Sequence, residues 1–311
     1  MSRVELLSDV ENSLRKLGLI VSEPCSIRPS CFDFAARKKD LLVLIKLIKN
    51  LGTIPAEYGS ELRLIAQKLS AAPIFVGLPT SNNHMKNDTA YNRHGIHTVT
   101  LETLLATFVD GKYPLVEARP GGFYVQLDKG AIQARRKELG LSLGELASMI
   151  GVSRRTVYGY EHGLAKATVS TALRLETVLG VPIVCHIDIF KLRKSIRSKL
   201  SKQLVENPFL YKVLRKLDSL GLLAAVTRKA PFDFIISDHE GHKILGGAVT
   251  RGEKIAEHRM RVTASVAKVT RAKPLFIVEH RFAEEEAQTI RWDELKKFRV
   301  SRELLEIFSY K

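Results

Sequence analysis

The sequence has few cysteines and no long hydrophobic run. Its three cysteines, Cys25, Cys31 and Cys185, are odd in number and follow no zinc-ligand spacing. We therefore expect reduced thiols in a cytoplasmic protein, which excludes a disulfide-stapled secreted fold. The longest apolar run, Leu41–Ile48, is too short to span a bilayer and contains Lys46. The N-terminus lacks the apolar core of a signal peptide, so we expect no membrane association.

The chain also lacks the motifs of several enzyme classes. Its histidines and cysteines show no metal-ligand spacing, and no glycine-rich loop is placed to cradle a phosphate. Gly246 and Gly247 stand inside an apolar run, where glycines indicate close packing. We therefore expect no metal, no cofactor and no catalytic residue.

Acidic residues are in deficit, with 33 Asp and Glu against 49 Lys and Arg and a net charge of +16. The excess is densest in residues 126–208, where 14 basic residues accompany seven acidic ones. Such a concentration is typical of nucleic-acid binding, because lysine and arginine release counterions from phosphates. The alternative is a solvated cationic surface of the kind that heat-adapted proteins carry.

Two short helical patterns in residues 130–182 flank the turn Gly151–Ser153, which is the spacing of a helix-turn-helix. Ser142 and Ser153 each precede an apolar-periodic run, where a hydroxyl caps the first turn of a helix. The positions predicted to face a shared core are Leu146, Ala147, Ile150, Val152, Val157 and Tyr160. Arg154 and Arg155 fall on the outward side of the second helix, at the end that enters the major groove.

The stretch from Leu146 to Gly163 resembles the Cro and phage-repressor (XRE-type) helix-turn-helix, a DNA-binding domain of five helices. The matching features are the small residue in the first helix, the glycine in the turn, the serine cap, the Thr-Val pair and the Tyr-Glu-x-Gly exit. The long flanking segments make the layout similar to a family of archaeal transcriptional regulators.

We predict a set of DNA-contacting residues, and the resemblance implies all of them except Arg135 and Thr156. They are Arg135, Ser142, Leu143, Ser153, Arg154, Arg155, Thr156 and Tyr158. Ser142 and Arg135 are expected to contact phosphates, and Arg154 and Arg155 to read guanine edges. Tyr158 has two equal interpretations, a DNA contact or a packing residue of its own domain.

Residues 1–110 alternate helical and strand-like patterns. We predict helices at Val4–Leu17, Ala56–Leu69 and Leu101–Phe108, strands at Leu41–Ile48, Pro73–Gly77 and Ile96–Val99, and a polar loop at Thr80–Asn92. Several of these segments recur in order after residue 208. Leu14–Ile20 resembles Leu217–Leu223, Phe32–Phe34 resembles Phe232–Phe234, Ile65–Val76 resembles Val266–Ile277, and Val99–Leu104 resembles Ile290–Leu295. This collinearity predicts an internal duplication.

The element order of the first copy, with Asp33 on one strand and Lys46 on the next, resembles restriction-endonuclease-like nucleases. Those enzymes place a second acidic residue two positions before the lysine to help bind Mg²⁺. Leu44 occupies that position here, and the second copy keeps Asp233 without an acid or a lysine nearby. We therefore expect both copies to be inactive scaffolds.

The predicted fold is a multidomain α+β protein. An all-α five-helix Cro/repressor-type domain at 126–183 lies between α/β nuclease-like domains at 1–122 and 208–311, which are related by duplication. A basic amphipathic connector helix is predicted at 184–207. It either packs on a neighbouring element or also contacts flanking phosphates.

The predicted function is sequence-specific binding of double-stranded DNA by a transcriptional regulator, with a homodimer as the expected state. The alternative is a Mg²⁺-dependent DNA nuclease or junction-cleaving enzyme that uses Asp33 and Lys46. A third possibility is a DNA-binding antitoxin or antirepressor that acts with another protein. The sequence is silent on the operator, the direction of regulation, and any effector or protein partner.

Overall fold

A computed structural model describes residues 3–26, 29–78, 85–191, 207–237, 242–250, 253, 255–279 and 287–308. The chain divides into two compact units. The first comprises Met1–Leu47, Thr53–Ile74 and Leu192–Lys311, and the second comprises Ile48–Gly52 and Phe75–Lys191. No helix in the described ranges has both the length and the apolar character needed to cross a bilayer.

The N-terminal third of the chain alternates helices with short strands. These are α1 (Arg3–Lys16), β1 (Ile20–Val21), β2 (Phe34–Lys38), β3 (Leu41–Ile48), α2 (Ala56–Leu69), β4 (Ala72–Gly77), β5 (Thr89–Arg93), β6 (Ile96–Thr100) and α3 (Leu101–Asp110). In the first unit, β2 pairs antiparallel with both β1 and β3. The periodicity placed the helices and β3 correctly, since branched apolar residues favour a strand even around Lys46.

Strand β5 lies partly inside the segment predicted as a polar loop. It pairs antiparallel with β6, and His94 and Gly95 form the two-residue turn between them with φ of 53° and 78°. Positive φ at both turn residues matches the right-handed twist of a tight hairpin. The prediction of a loop through Asn92 was wrong because cross-strand pairing outweighs the polar composition of this strand.

The middle of the chain contains a hairpin and a group of helices, all in the second unit. These elements are β7 (Val116–Arg119), β8 (Gly122–Leu127), α4 (Lys129–Glu138), α5 (Leu143–Ile150), α6 (Arg154–Glu161), β9 (Ala167–Thr168), α7 (Val169–Leu179) and β10 (Val184–Cys185). Strand β8 pairs antiparallel with β7, β9 and β10, and β5 pairs parallel with β7. One hydrophobic core joins Val125 of the hairpin to Leu146, Val157 and Leu175 of the helices.

The expectation of an all-α domain of five helices at 126–183 requires correction. This segment contains the helices α4 to α7, and short strands complete it. After Gly180 the chain enters Val181–Val184, where branched residues and Pro182 favour extended backbone over a further helix. The hairpin edge then provides the hydrogen-bonding partner for β10.

The start of the predicted connector helix also differs from the structure. Val184 and Cys185 form β10, and residues 186–191 are not helical. The remainder of that predicted helix, residues 192–206, lies outside the described ranges.

The C-terminal segment belongs to the first unit and forms a mixed sheet flanked by helices. Its elements are α8 (Pro208–Ser219), β11 (Ala224–Val226), β12 (Phe234–Ser237), β13 (Lys243–Val249), α9 (Ala256–Thr270), β14 (Lys273–Val278), β15 (Gln288–Arg291), α10 (Trp292–Leu295) and α11 (Ser301–Glu306). The sheet order is β11-β12-β13-β14-β15. The first two pairings are antiparallel and the last two are parallel.

Within the first unit, the N-terminal and C-terminal segments contact each other. The rings of Phe32 and Phe232 lie 6.4 Å apart, and Cys31 donates its backbone N–H to the Lys229 carbonyl at 2.8 Å. The Glu61 carboxylate accepts the backbone N–H groups of Arg228 and Lys229. Burial raises the pKa of Glu61, and those hydrogen bonds partly offset the effect.

Candidate nucleic-acid interface

Helix α4 is fixed to the core by an ion pair with the end of α6. Arg136 donates through Nε and Nη2 to the two carboxylate oxygens of Glu161, at 2.5 and 3.0 Å, and through Nη1 to the Leu141 carbonyl at 2.8 Å. The Glu161 side chain is only 2% exposed. The hydrogen bonds to Glu161 raise the pKa of the Arg136 guanidinium despite its desolvation. This pair holds the helix-turn-helix against the preceding helix.

Both helices of the helix-turn-helix begin with the serine caps that the sequence predicts. Ser142 accepts the N–H of Glu145 at 3.1 Å, and the Glu145 carboxylate accepts the Ser142 N–H at 2.8 Å, which makes a capping box. Gly151 ends α5 in the left-handed region, with φ of 67°. Ser153 then accepts the N–H of Thr156 at 3.1 Å at the start of α6. Local hydrogen bonds therefore determine where α5 ends and α6 begins.

The predicted site residues fall into two groups. Ser142, Ser153 and Thr156 engage in the caps, and Leu143 packs partly buried against the core. Arg135 donates through Nε to the Leu179 carbonyl at 2.9 Å and pairs with Glu138 at 2.8 Å. These side chains have a structural role in the free protein, whatever they contact in a complex.

Arg154, Arg155 and Tyr158 form the second group, on the exposed face of α6. Among the described residues, neither guanidinium has a hydrogen-bond or ion-pair partner. Tyr158 is 47% exposed, and its ring stacks on the His162 ring, with centroids 3.8 Å apart. Tyr158 therefore packs against its own helix while its outer face remains accessible.

The sequence interpretation did not include Arg174, which is exposed on α7. A Cβ atom added at Gly151 would lie 3.4 Å from its Nη1, so this guanidinium lies over the turn that precedes α6. The carboxylates of residues 143–176 bind groups other than the Arg174 guanidinium. Glu145 caps α5, Glu161 pairs with Arg136, and Glu176 accepts the backbone N–H groups of Ile183 and Val184. The sequence interpretation missed Arg174 because this residue lies outside the helix-turn-helix motif. Its position one turn into α7 is the sequence signal that could have identified it.

The adjoining hairpin holds a buried acid with two cations. Glu117 is 1% exposed and binds both Lys166 and Arg119. Burial alone would raise the pKa of Glu117, but the hydrogen bonds from Lys166 and Arg119 outweigh burial and lower it. Lys166 lies between α6 and β9, so this ion pair fixes the exit of α6 to the hairpin.

In the first unit, the residues that resemble a nuclease site do not fit a divalent metal. Asp33 accepts Lys46 Nζ at 3.0 Å and Arg3 Nη2 at 2.9 Å on one oxygen, and the Leu47 N–H at 2.8 Å on the other. Leu44 is fully buried and offers no oxygen ligand. Across the described ranges, no three His, Cys, Asp or Glu residues group to hold a metal ion. The cations that neutralise Asp33 are therefore side chains of the protein, Lys46 and Arg3.

Two sequence profiles match the chain. A PD-(D/E)XK superfamily domain matches residues 3–114, and a helix-turn-helix matches residues 132–184. A solved structure of a SinR protein/SinI protein complex covers 31% of this chain and 82% of its own chain at 23% identity. The TM-score of this match is 0.17.

Archaeal proteins that are named HTH-type transcriptional regulatory proteins are similar to this protein over most of the chain. The relative from Halorubrum lacusprofundi is 34% identical over 284 residues, which cover 90% of this chain and 87% of that protein. The relatives from Methanosarcina acetivorans and Pyrococcus furiosus are each 31% identical, over 98% and 99% of this chain and 96% and 98% of their own lengths. The chain therefore belongs to this archaeal family of HTH-type transcriptional regulators, and it carries both an XRE-type helix-turn-helix and a PD-(D/E)XK superfamily domain.

Proposed function

We propose that this regulator recognises a specific sequence of double-stranded DNA by placing α6 in the major groove. The observation that carries the proposal is the pair of exposed guanidinium groups of Arg154 and Arg155 on the first turn of a capped helix, which have no partner in the part of the chain that the structure describes. Arginine donates two parallel hydrogen bonds to the O6 and N7 atoms of guanine, which makes these residues the base readers. Tyr158 extends the same face.

Phosphate contacts are proposed around this helix. Ser142 and Leu143 begin α5, whose first turn directs backbone N–H groups outward. Arg174 lies over the turn before α6, and no carboxylate of residues 143–176 neutralises it. Arg135 remains a proposed contact, although its bonds to Leu179 and Glu138 must rearrange for it to reach DNA.

Arg154→Ala should relax base preference at one position of the site, at a cost of about 1–3 kcal/mol there. The measurement is selection of binding sequences from a randomised DNA pool. Arg154→Lys is the matched control, because it keeps the charge and loses the planar fork. It should also relax preference while retaining the salt dependence of binding. An unchanged consensus in both variants would exclude Arg154 as a base reader.

Arg174→Ala should weaken binding to all sequences alike and reduce the salt slope of log K by about 1, because one phosphate contact is lost. Fluorescence anisotropy titrations across a salt series measure this slope. Arg302→Ala is the control, since it removes one exposed arginine from α11 of the first unit. If the two variants have the same slope as the wild type, Arg174 makes no phosphate contact.

We also propose that the active species is a homodimer on half-sites one helical turn apart, as helix-turn-helix regulators commonly are. Light scattering at working concentration should give twice the monomer mass of 34.8 kDa. The operator footprint should have two-fold symmetry. A monomer under conditions that support binding would contradict the proposal.

We further propose that the chain consists of nuclease-like domains at 1–122 and 208–311, the helix-turn-helix at 126–183 and a connector at 184–207. The features that support duplication recur at matched places. Gly18 and Gly221 follow the first helix of each segment with φ of 77° and 79°. Ser70 and Arg271 end α2 and α9 in the left-handed region.

Both nuclease-like segments are proposed to act as scaffolds, with no cleavage of DNA in Mg²⁺ or Mn²⁺. The support is Leu44 in place of the second acid and the protein cations on Asp33. A DNA-binding regulator with these properties is expected to work in the cytoplasm.

A further inference from the structure

Asp33 and Asp233 occupy equivalent places on their two sheets. Asp33 donates its N–H to the Ile45 carbonyl, and Asp233 donates to the Gly246 carbonyl, both at 2.7 Å. Each carboxylate then accepts the N–H two residues further along, from Leu47 at 2.8 Å and from Ala248 at 2.9 Å. This register makes Gly247 the counterpart of Lys46. The second sheet therefore has no strand cation to neutralise its buried aspartate.

Arg259 supplies that cation from helix α9. Its side chain is 1% exposed, and its Nη1 donates to both oxygens of Asp233 at 3.1 and 3.0 Å. Its Nη2 donates to the Ala248 carbonyl at 2.9 Å, and its Nε lies 3.2 Å from a carboxylate oxygen of Glu253. The guanidinium carbon lies 5.4 Å from the centre of the Phe276 ring. Burial of a full charge is tolerated here because oxygen atoms and a ring face surround it.

Gly247 makes room for this guanidinium. A Cβ atom at residue 247 would lie 3.1 Å from Arg259 Nη2, 3.0 Å from Asp233 and 2.7 Å from the Phe276 ring. A lysine on this strand would therefore occupy the volume that Arg259 fills. Compared with the first sheet, the second sheet has Gly247 in place of the strand lysine, and Arg259 of helix α9 supplies the cation instead.

Oxygen atoms of two carboxylates and of one main-chain carbonyl surround the guanidinium. A hard divalent cation binds the same kinds of oxygen ligand. We infer that Arg259 is a built-in replacement for a metal ion in an oxygen cage formed by Asp233, Glu253 and the Ala248 carbonyl. The fixed guanidinium supplies one positive charge to the cage without metal, and it ties α9 to Asp233 and to the Ala248 carbonyl of β13. The comparison with Asp33 rests on the proposed duplication, whereas the cage itself does not.

The test removes the guanidinium and measures metal binding and unfolding of the full-length protein. Thermal unfolding and Mn²⁺ electron paramagnetic resonance are recorded for wild type, Arg259→Ala, Arg259→Lys, and Arg259→Ala combined with Asp233→Asn. We expect Mn²⁺ to leave the midpoint of the wild type unchanged. It should raise the midpoint of Arg259→Ala, with one additional bound ion. The lysine variant and the double variant should show no such ion.

Several outcomes overturn the inference. They are a wild type stabilised by Mn²⁺ to the same degree, an Arg259→Ala protein without an additional ion, and an additional ion that persists in the double variant. If Arg259→Ala does not fold alone, refolding is attempted with Mn²⁺ or with millimolar guanidinium. Recovery with either cation supports the cage. Failure with both shows that the site needs the arginine side chain for packing and not as a cation.

Discussion

Arg136→Ala is expected to destabilise the second unit by about 3–5 kcal/mol and to abolish specific DNA binding. The substitution leaves the Glu161 carboxylate buried without its bidentate partner and opens the Leu141 carbonyl at the start of α5. A loss of that size is a large fraction of the stability of most domains. Urea denaturation followed by circular dichroism, with anisotropy titrations on the operator, measures both effects.

Lys137→Ala is the matched control, because it removes one cation from the next residue of the same helix, where the side chain is exposed. It should change stability by less than about 0.5 kcal/mol. The double variant Arg136→Met with Glu161→Leu should recover much of the loss, since apolar residues of similar volume need no counter-charge. Equal stability of Arg136→Ala and Lys137→Ala would mean that the ion pair does not hold the helix-turn-helix together.

Gly246→Ala should destabilise the first unit by roughly 3 kcal/mol, the upper end of the usual cost of overpacking. The added methyl would lie 2.2 Å from the Phe234 ring and 2.9 Å from the Leu275 carbonyl. Phe234 is fully buried, and Leu275 belongs to the neighbouring strand β14, so neither group can move without disturbing the sheet. The midpoint of urea denaturation for this unit should fall.

Gly144→Ala provides the comparison for this prediction. Gly144 lies in the first turn of α5, where the nearest atom to an added Cβ is Ser142 Oγ at 3.8 Å. The same substitution should therefore stabilise the protein by about 0.5–1 kcal/mol through helix propensity. If both glycine variants change stability in the same direction, packing against Phe234 is not the reason for Gly246.

The helix-turn-helix could be predicted because its signals are local. Capping serines, the glycine with positive φ and the apolar period of α5 and α6 all act within a few residues. Cross-strand partners are not local. The parallel pairing of β5 with β7 and the antiparallel pairing of β10 with β8 join segments that are far apart along the chain. The expectation of five helices at 126–183 was therefore wrong at the ends of this segment, where strands form, and correct for the helix-turn-helix in its middle.

The roles of side chains could likewise be predicted where they depend on local sequence, and not where they depend on long-range contacts. The sequence placed Arg154 and Arg155 on the outer face of α6, since helical period alone decides that face. It grouped Arg135 with them, although that side chain bonds to the Leu179 carbonyl 44 residues away. Arg174 was missed because it approaches Gly151 only once α7 packs beside α5.

By itself, the sequence determined the motif, its caps, its exposed arginines and the absence of a second acid before Lys46. Only the tertiary structure decided which cations neutralise the buried carboxylates: Lys46 and Arg3 for Asp33, Lys166 and Arg119 for Glu117, Arg136 for Glu161, and Arg259 for Asp233. The physical reason is that a buried charge requires a partner within a few ångströms, and long-range folding brings that partner from another element.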